Sequence, residues 1–155
     1  MYTMKKIIPE VAKVTEIIMP SMNSRKPLPL FLESVSAGFP SPADDYMDKT
    51  LDLNEYLIIN PSATFFVRVR GESMIDAGIH NGDLLIVDRA LSPKDGSIVI
   101  AVIDGELLVK RMSFKKNKVF LILENREYMP VEIKPEMNFE VWGVVTTVIH
   151  SVKYI

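Results

Sequence analysis

The chain contains no cysteine, and only two of its 155 residues are histidine, His80 and His150. Without thiols there is no cysteine nucleophile, no disulfide framework and no cysteine-ligated zinc centre. Two histidines are too few for a convincing histidine metal site, so no metal and no cofactor are expected. Nor is there an apolar run long enough to cross a bilayer. The N-terminal segment has Lys5 and Lys6, but Pro9, Glu10, Lys13 and Glu16 interrupt its apolar stretch, which argues against a signal peptide. An excess of one charge is missing too. Net charge is −2, unlike the strongly basic domain of a general nucleic-acid binder. What is left is 48% apolar and 25% charged, the composition of an ordinary globular chain. A cytoplasmic protein without membrane contact is the expectation, with one domain and an appendage.

Along the chain, residues 1–19 offer two patterns. Ile7, Val11, Val14 and Ile18 share a helical face, while the β-branched content favours a strand. A mobile arm and a packed strand or short helix both remain open. Half of the ten prolines fall between Pro20 and Pro42, so that segment should be extended. Within it, the apolar and small residues from Leu30 to Phe39 suit a peptide that lies in a groove as an added strand. Asp52-Leu53-Asn54-Glu55 is a capping pattern, and Leu53, Tyr56 and Leu57 predict a short amphipathic helix ended by Asn60-Pro61. Beyond Pro61 the chain reads as strands: Phe65–Arg70, Asp83–Arg89, Ile98–Ile103, Leu107–Met112, Lys118–Glu124 and a final stretch from Asn138. Asp104-Gly105 predicts a type I′ hairpin, which needs positive φ at both central residues. The expected fold is mostly β: antiparallel strands and one short helix behind an extended N-terminal arm.

The chemistry centres on Val69-Arg70-Gly71-Glu72-Ser73-Met74-Ile75-Asp76. A strand runs into a glycine turn that presents Ser73, and a serine attacks only if a base takes its proton. A G-x-S-x-G elbow fails for want of the closing glycine. An S-x-x-K pair fails because position 76 is Asp76. His80 sits beside the Asn81-Gly82 turn and reads as a surface residue. Lys110 is the better candidate. Alternation puts Leu108, Lys110 and Met112 on one face of a strand, with Leu107, Val109 and Arg111 on the other. If the first face is inward, burial makes Lys110 less basic and able to accept a proton. If it is outward, Lys110 is an edge-strand gatekeeper. Parity alone does not choose.

Gly38-Phe39-Pro40-Ser41-Pro42, Gly71-Glu72-Ser73-Met74-Ile75-Asp76, Gly78-Ile79, Gly82-Asp83-Leu84-Leu85-Ile86-Val87-Asp88, and Asp104-Gly105-Glu106 with Val109-Lys110-Arg111 resemble the LexA/UmuD group of self-cleaving serine peptidases, from residue 34 to about 150. The layout is most similar to the UmuD-like members. The resemblance implies their complex β fold, a homodimer, Ser73 as nucleophile, Lys110 as general base and Ala37–Gly38 as the scissile bond. It divides the chain into an arm of residues 1–37, removed by self-cleavage, and a peptidase domain of residues 38–155. It further implies cleavage triggered by a RecA–single-stranded DNA filament in the SOS response. The trimmed product of such members serves a UmuC-type Y-family polymerase in error-prone translesion synthesis. Glu72 and Ser73 are the expected backbone donors to the oxyanion. A repressor is not expected, because the 37 residues before Gly38 are interrupted by Pro9, Pro20, Pro27 and Pro29 and do not resemble a helix-turn-helix, so no direct sequence-specific DNA binding is foreseen. A membrane-anchored signal peptidase is likewise set aside. The alternative is a non-catalytic polymerase-binding module with a vestigial dyad.

Overall fold

The computed structural model describes residues 11–22, 27–31, 47–124 and 129–153. In chain order the elements are β1 (Lys13–Ile18), β2 (Leu28–Phe31), β3 (Met47–Leu51), α1 (Leu53–Leu57), β4 (Thr64–Arg70), β5 (Leu84–Asp88), β6 (Ile98–Ile103), β7 (Glu106–Lys115), β8 (Lys118–Ile122), β9 (Val131–Glu132) and β10 (Phe139–Ile149). This is the mostly β, antiparallel architecture expected.

Eight strands form one sheet in the order β1-β4-β5-β10-β6-β7-β8-β9. Lys13 of β1 also stands opposite Leu108 of β7, so the sheet closes on itself through β1. Residues 13–18 are therefore a packed strand. They pair with β4 from Lys13 opposite Arg70 to Ile18 opposite Phe66, with a shift in register between Val14 and Glu16. A closed ring leaves β4 and β7 without free edges at that point.

Alternation explains where the core sits. Val67 and Val69 of β4 meet Leu85 and Val87 of β5, Ile100 of β6 and Val109 of β7 on one shared face, with Ala12, Met74 and Ile79 packed in. The opposite parity of β6, Val99 and Ala101, joins Met112, Leu121 and Val144 in a second cluster. β6 is thus buried on both sides, which is why its sequence is continuously apolar. Register matters most for β4. A one-residue slip would offer Arg68 and Arg70 where Val67 and Val69 lie, losing about 1.5–3 kcal/mol for each buried side chain.

The turns follow local chemistry. Asp104 and Gly105 have φ of +50° and +81°, the type I′ pair expected between β6 and β7. Lys116 and Asn117, at +49° and +61°, make a similar reversal between β7 and β8. The Asp52 carboxylate accepts the Asn54 N–H at 3.0 Å and caps α1. The amphipathic stripe proposed for that helix is not a core face, however. Leu53 and Tyr56 are exposed, and no residue of α1 is buried. One turn of helix is too short to turn a whole side inward, and its hydrogen bonds are satisfied by the cap instead. Residues 28–31 of the proline-rich segment are extended, as expected, and pair with β3 in a separate two-stranded sheet.

Candidate functional site

Ser73 lies just past the end of β4, on a turn that is held from several sides. Gly71 begins it at φ +103°, a conformation that a side chain would strain. The Gly71 N–H donates to Asn81 Oδ1 at 2.9 Å, and Gly82 N–H donates to Val69 O at 2.8 Å. Ile75–Ala77 form a single 3₁₀ turn, and the Asp76 N–H donates to Glu124 O at 3.0 Å. Met74 and Ile79 are fully buried beneath it. The turn is anchored on both sides of the serine, so Ser73 is positioned by the core and not by a flexible loop.

Ser73 itself is 0% exposed. Its Oγ accepts the backbone N–H of Ala12 at 2.7 Å, and the carbonyl of Ala12 accepts the Val109 N–H at 3.1 Å. Ala12 is also 0% exposed. The residue before β1 is therefore clasped between the serine and β7. Among the described residues no acceptor engages the N–H groups of Glu72 and Ser73.

Lys110 follows Val109 on β7 and stands opposite Val99 of β6. Its side chain borders a hollow of about 110 Å³ with Ile103, Leu121, Leu123 and Val131. It makes no ion pair or hydrogen bond among the described residues. Burial in these apolar surroundings lowers its pKa from the ordinary lysine value. Both faces of β7 are apolar here: Val109 enters the first core cluster, and Lys110, half-buried, shares the face of Leu108 and Met112. Arg111 is less solvated than expected: it pairs with Glu124 and donates to Gly96 O at 2.6 Å. Ser73 touches Ala12, and Ala12 in turn touches Val109, the residue before Lys110; no hydrogen bond joins Ser73 and Lys110 among the described residues. Glu72 is exposed beside Ser73. Ala37 and Gly38 lie outside the described residues. A larger hollow of about 340 Å³ beside α1, lined by Tyr56, Leu57, Asn60 and Asp88, includes neither Ser73 nor Lys110.

Ala12 is the member of this site that the sequence did not reveal. Its only signal was the choice left open for residues 1–19, and a contact across 61 positions has no local signature. The two histidines also meet unexpectedly. Asp83, 3% exposed, accepts the His80 N–H at 2.7 Å and lies 2.6 Å from His150 Nδ1. The rings are 4.6 Å apart, and the candidate ligand atoms of the three residues lie within 4.8 Å of one another. This is a metal-ligand type of grouping: Asp83 engages the His80 backbone and the His150 ring, while His80 Nδ1 is buried with no hydrogen-bond partner among the described residues. Among the described residues no helix is long and apolar enough to cross a membrane.

Comparison with known proteins identifies the family. The family model described as Peptidase S24-like matches residues 29–146. Protein ImpA of Salmonella typhimurium is 51% identical over 132 residues, covering 81% of this chain and 85% of its own. Protein MucA of Salmonella typhimurium is 45% identical over 120 residues, covering 77% and 82%. The LexA repressor of Stenotrophomonas maltophilia is 35% identical over 136 residues, which is 88% of this chain and 63% of the repressor. The match takes in β4 to β7, and with them the serine turn and the strand that bears Lys110: the chain belongs to the Peptidase S24-like family.

Proposed function

We propose that the chain is a self-cleaving serine peptidase that acts as a switch, cutting its own Ala37–Gly38 bond with a Ser73–Lys110 dyad. The observation that carries this reading is the chain of contacts from the buried Ser73 through Ala12 to Val109, beside which Lys110 sits half-buried in apolar surroundings that make its amine less basic. A neutral amine accepts a proton near working pH, whereas an ordinary surface lysine does not.

The reaction divides into two steps. In the first, Ser73 Oγ attacks the Ala37 carbonyl carbon, Lys110 takes the hydroxyl proton, and the backbone N–H groups of Glu72 and Ser73 stabilise the oxyanion. Collapse breaks the Ala37–Gly38 bond, and Lys110 returns the proton to the Gly38 amine. In the second, Lys110 deprotonates a water that attacks the acyl-serine, which frees the Ala37 carboxylate and restores Ser73. Ala37 and Gly38 are small enough for close approach of the backbone to the serine. No cofactor takes part.

In this reading the chain is a cytoplasmic homodimer, cleavage follows contact with a RecA–single-stranded DNA filament, and the trimmed body serves a UmuC-type Y-family polymerase. Support comes from membership of the family and from the similarity to ImpA, MucA and the LexA repressor. Incubation of the purified protein with and without RecA, nucleotide and single-stranded DNA tests the trigger. A pull-down with a UmuC-type polymerase, before and after trimming, tests the switch. Acceleration by the filament and tighter polymerase binding by the trimmed body are expected. Indifference to the filament, or equal binding and activation by both forms, contradicts the proposal.

A further inference from the structure

Ala12 does more than cover the serine. Its N–H occupies a lone pair of Ser73 Oγ, its carbonyl takes the Val109 N–H, and the strand behind it is registered on β4 as far as Ile18. These are the contacts an extended peptide makes when it adds to two strand edges at once. Only a small side chain fits at position 12, since Ala12 is fully buried against Met74 and Val109. Two surface ion pairs hold the strand further along: Lys13 Nζ to Glu106 at 3.4 Å and Arg68 Nε to Glu16 at 3.2 Å. With these contacts made, Ser73 is 0% exposed and its Oγ is held by the Ala12 backbone.

We propose that the groove between β4 and β7 is a strand-binding site for an extended peptide with a small residue at the serine, and that residues 12–18 are its resident ligand. They plug the site in the resting chain, and the segment bearing Ala37–Gly38 must displace them before it is cut. The second part rests on the self-cleavage reading. The first part does not, because strand binding is measurable without chemistry.

Proline at position 12 is the discriminating substitution. It removes the N–H that Ser73 accepts and puts a ring carbon where that hydrogen bond is 2.7 Å long, so the strand cannot seat. In the full-length Ala12→Pro protein, self-cleavage at alkaline pH should be about tenfold faster than in the parent, as for a shifted population of open sites. Hydrogen exchange should show the Val109 amide losing protection. A labelled peptide of residues 10–19 should bind Ala12→Pro, slow its cleavage and fail to bind the parent chain, whose groove is filled. Should Ala12→Pro not fold, Glu16→Lys provides a milder test on an exposed side chain. It should speed cleavage about twofold, with the parent rate restored by Arg68→Glu, in keeping with a surface pair. Unchanged Val109 protection in folded Ala12→Pro, or no peptide binding by it, overturns the strand site whether or not any variant cleaves. Peptide binding without faster cleavage, in a chain that does cleave itself, overturns the plug. A product ending at residues 11–13 would show a substrate in the groove, and would overturn it as well.

Discussion

Ala12 and Ser73 lie 61 residues apart in sequence and share one 2.7 Å hydrogen bond, in which the arm's backbone donates to the hydroxyl. That bond ties the fold to the chemistry. β1 completes the closure of the sheet, and the residue leading into it occupies the reactive oxygen. Cutting Ala37–Gly38 would detach β1 covalently from the body while leaving its hydrogen bonds to break separately.

Removing the hydroxyl should therefore have a structural effect as well as a chemical one. Ser73→Ala leaves the buried Ala12 N–H without its acceptor, which costs about 1–3 kcal/mol. A urea titration of Ser73→Ala should show a lower midpoint with an unchanged slope. An identical midpoint would show that the bond contributes nothing to holding the arm.

Lys110 makes the pH dependence specific. Burial lowers its folded pKa below the ordinary value of 10.5, so between the two values the unfolded chain binds more protons than the folded one. Stability then rises with pH across that window, and the cost of a buried ammonium is present below it. Cleavage should rise with pH through the depressed pKa and level off above it. Lys110→Met should be more stable than the parent at neutral pH, and Lys110→Arg should be inactive at every practical pH because a guanidinium keeps its proton. Thermal melts and initial cleavage rates against pH check both. A rate that falls with rising pH in folded protein would point to another base.

The turn that presents Ser73 depends on Gly71. Its φ of +103° is strained for any side chain, so Gly71→Ala should cost about 1–2 kcal/mol and displace the serine. Cleavage should slow by more than the loss of folded protein accounts for. Rates normalised to the folded fraction from circular dichroism check this.

A control away from the site is Gly143 on β10. A Cβ there would come within 2.6 Å of Val87 Cγ1 and 3.2 Å of Arg89 Cγ, tighter than packed atoms allow. Gly143→Ala should destabilise the body by about 1–3 kcal/mol through overpacking. Denaturant midpoints measure it. Its per-folded-molecule cleavage rate should match that of the parent, since β10 contributes nothing to the Ser73–Ala12–Val109 contacts.

Much of this was readable from local chemistry. The strands from Phe65 onward were visible because β-branched runs end at glycine or asparagine turns, and Asp104-Gly105 fixed the β6–β7 hairpin at close to its observed bounds. Lys116-Asn117 carried a weaker turn signal within a lysine-rich run and was not anticipated. β9, two residues long, has no periodicity to detect. The candidate site was half visible. Ser73 and Lys110 followed from a turn, an alternation and a resemblance. Ala12 did not, and neither did the approach of His80 and His150 through Asp83. These contacts arise from ring closure between distant strands, and a period of two residues cannot say which strand will lie beside which.

The central claim is that Ser73, activated by Lys110, cuts the chain between Ala37 and Gly38. Its most direct test is an intact-mass spectrum of the purified full chain after incubation at alkaline pH, alongside Ser73→Ala and Lys110→Ala. The account predicts two fragments from the parent, residues 1–37 and 38–155, and the uncut mass from both variants. Cleavage at Ala37 by the Ser73→Ala protein, or cleavage of the parent at a different bond alone, would contradict it.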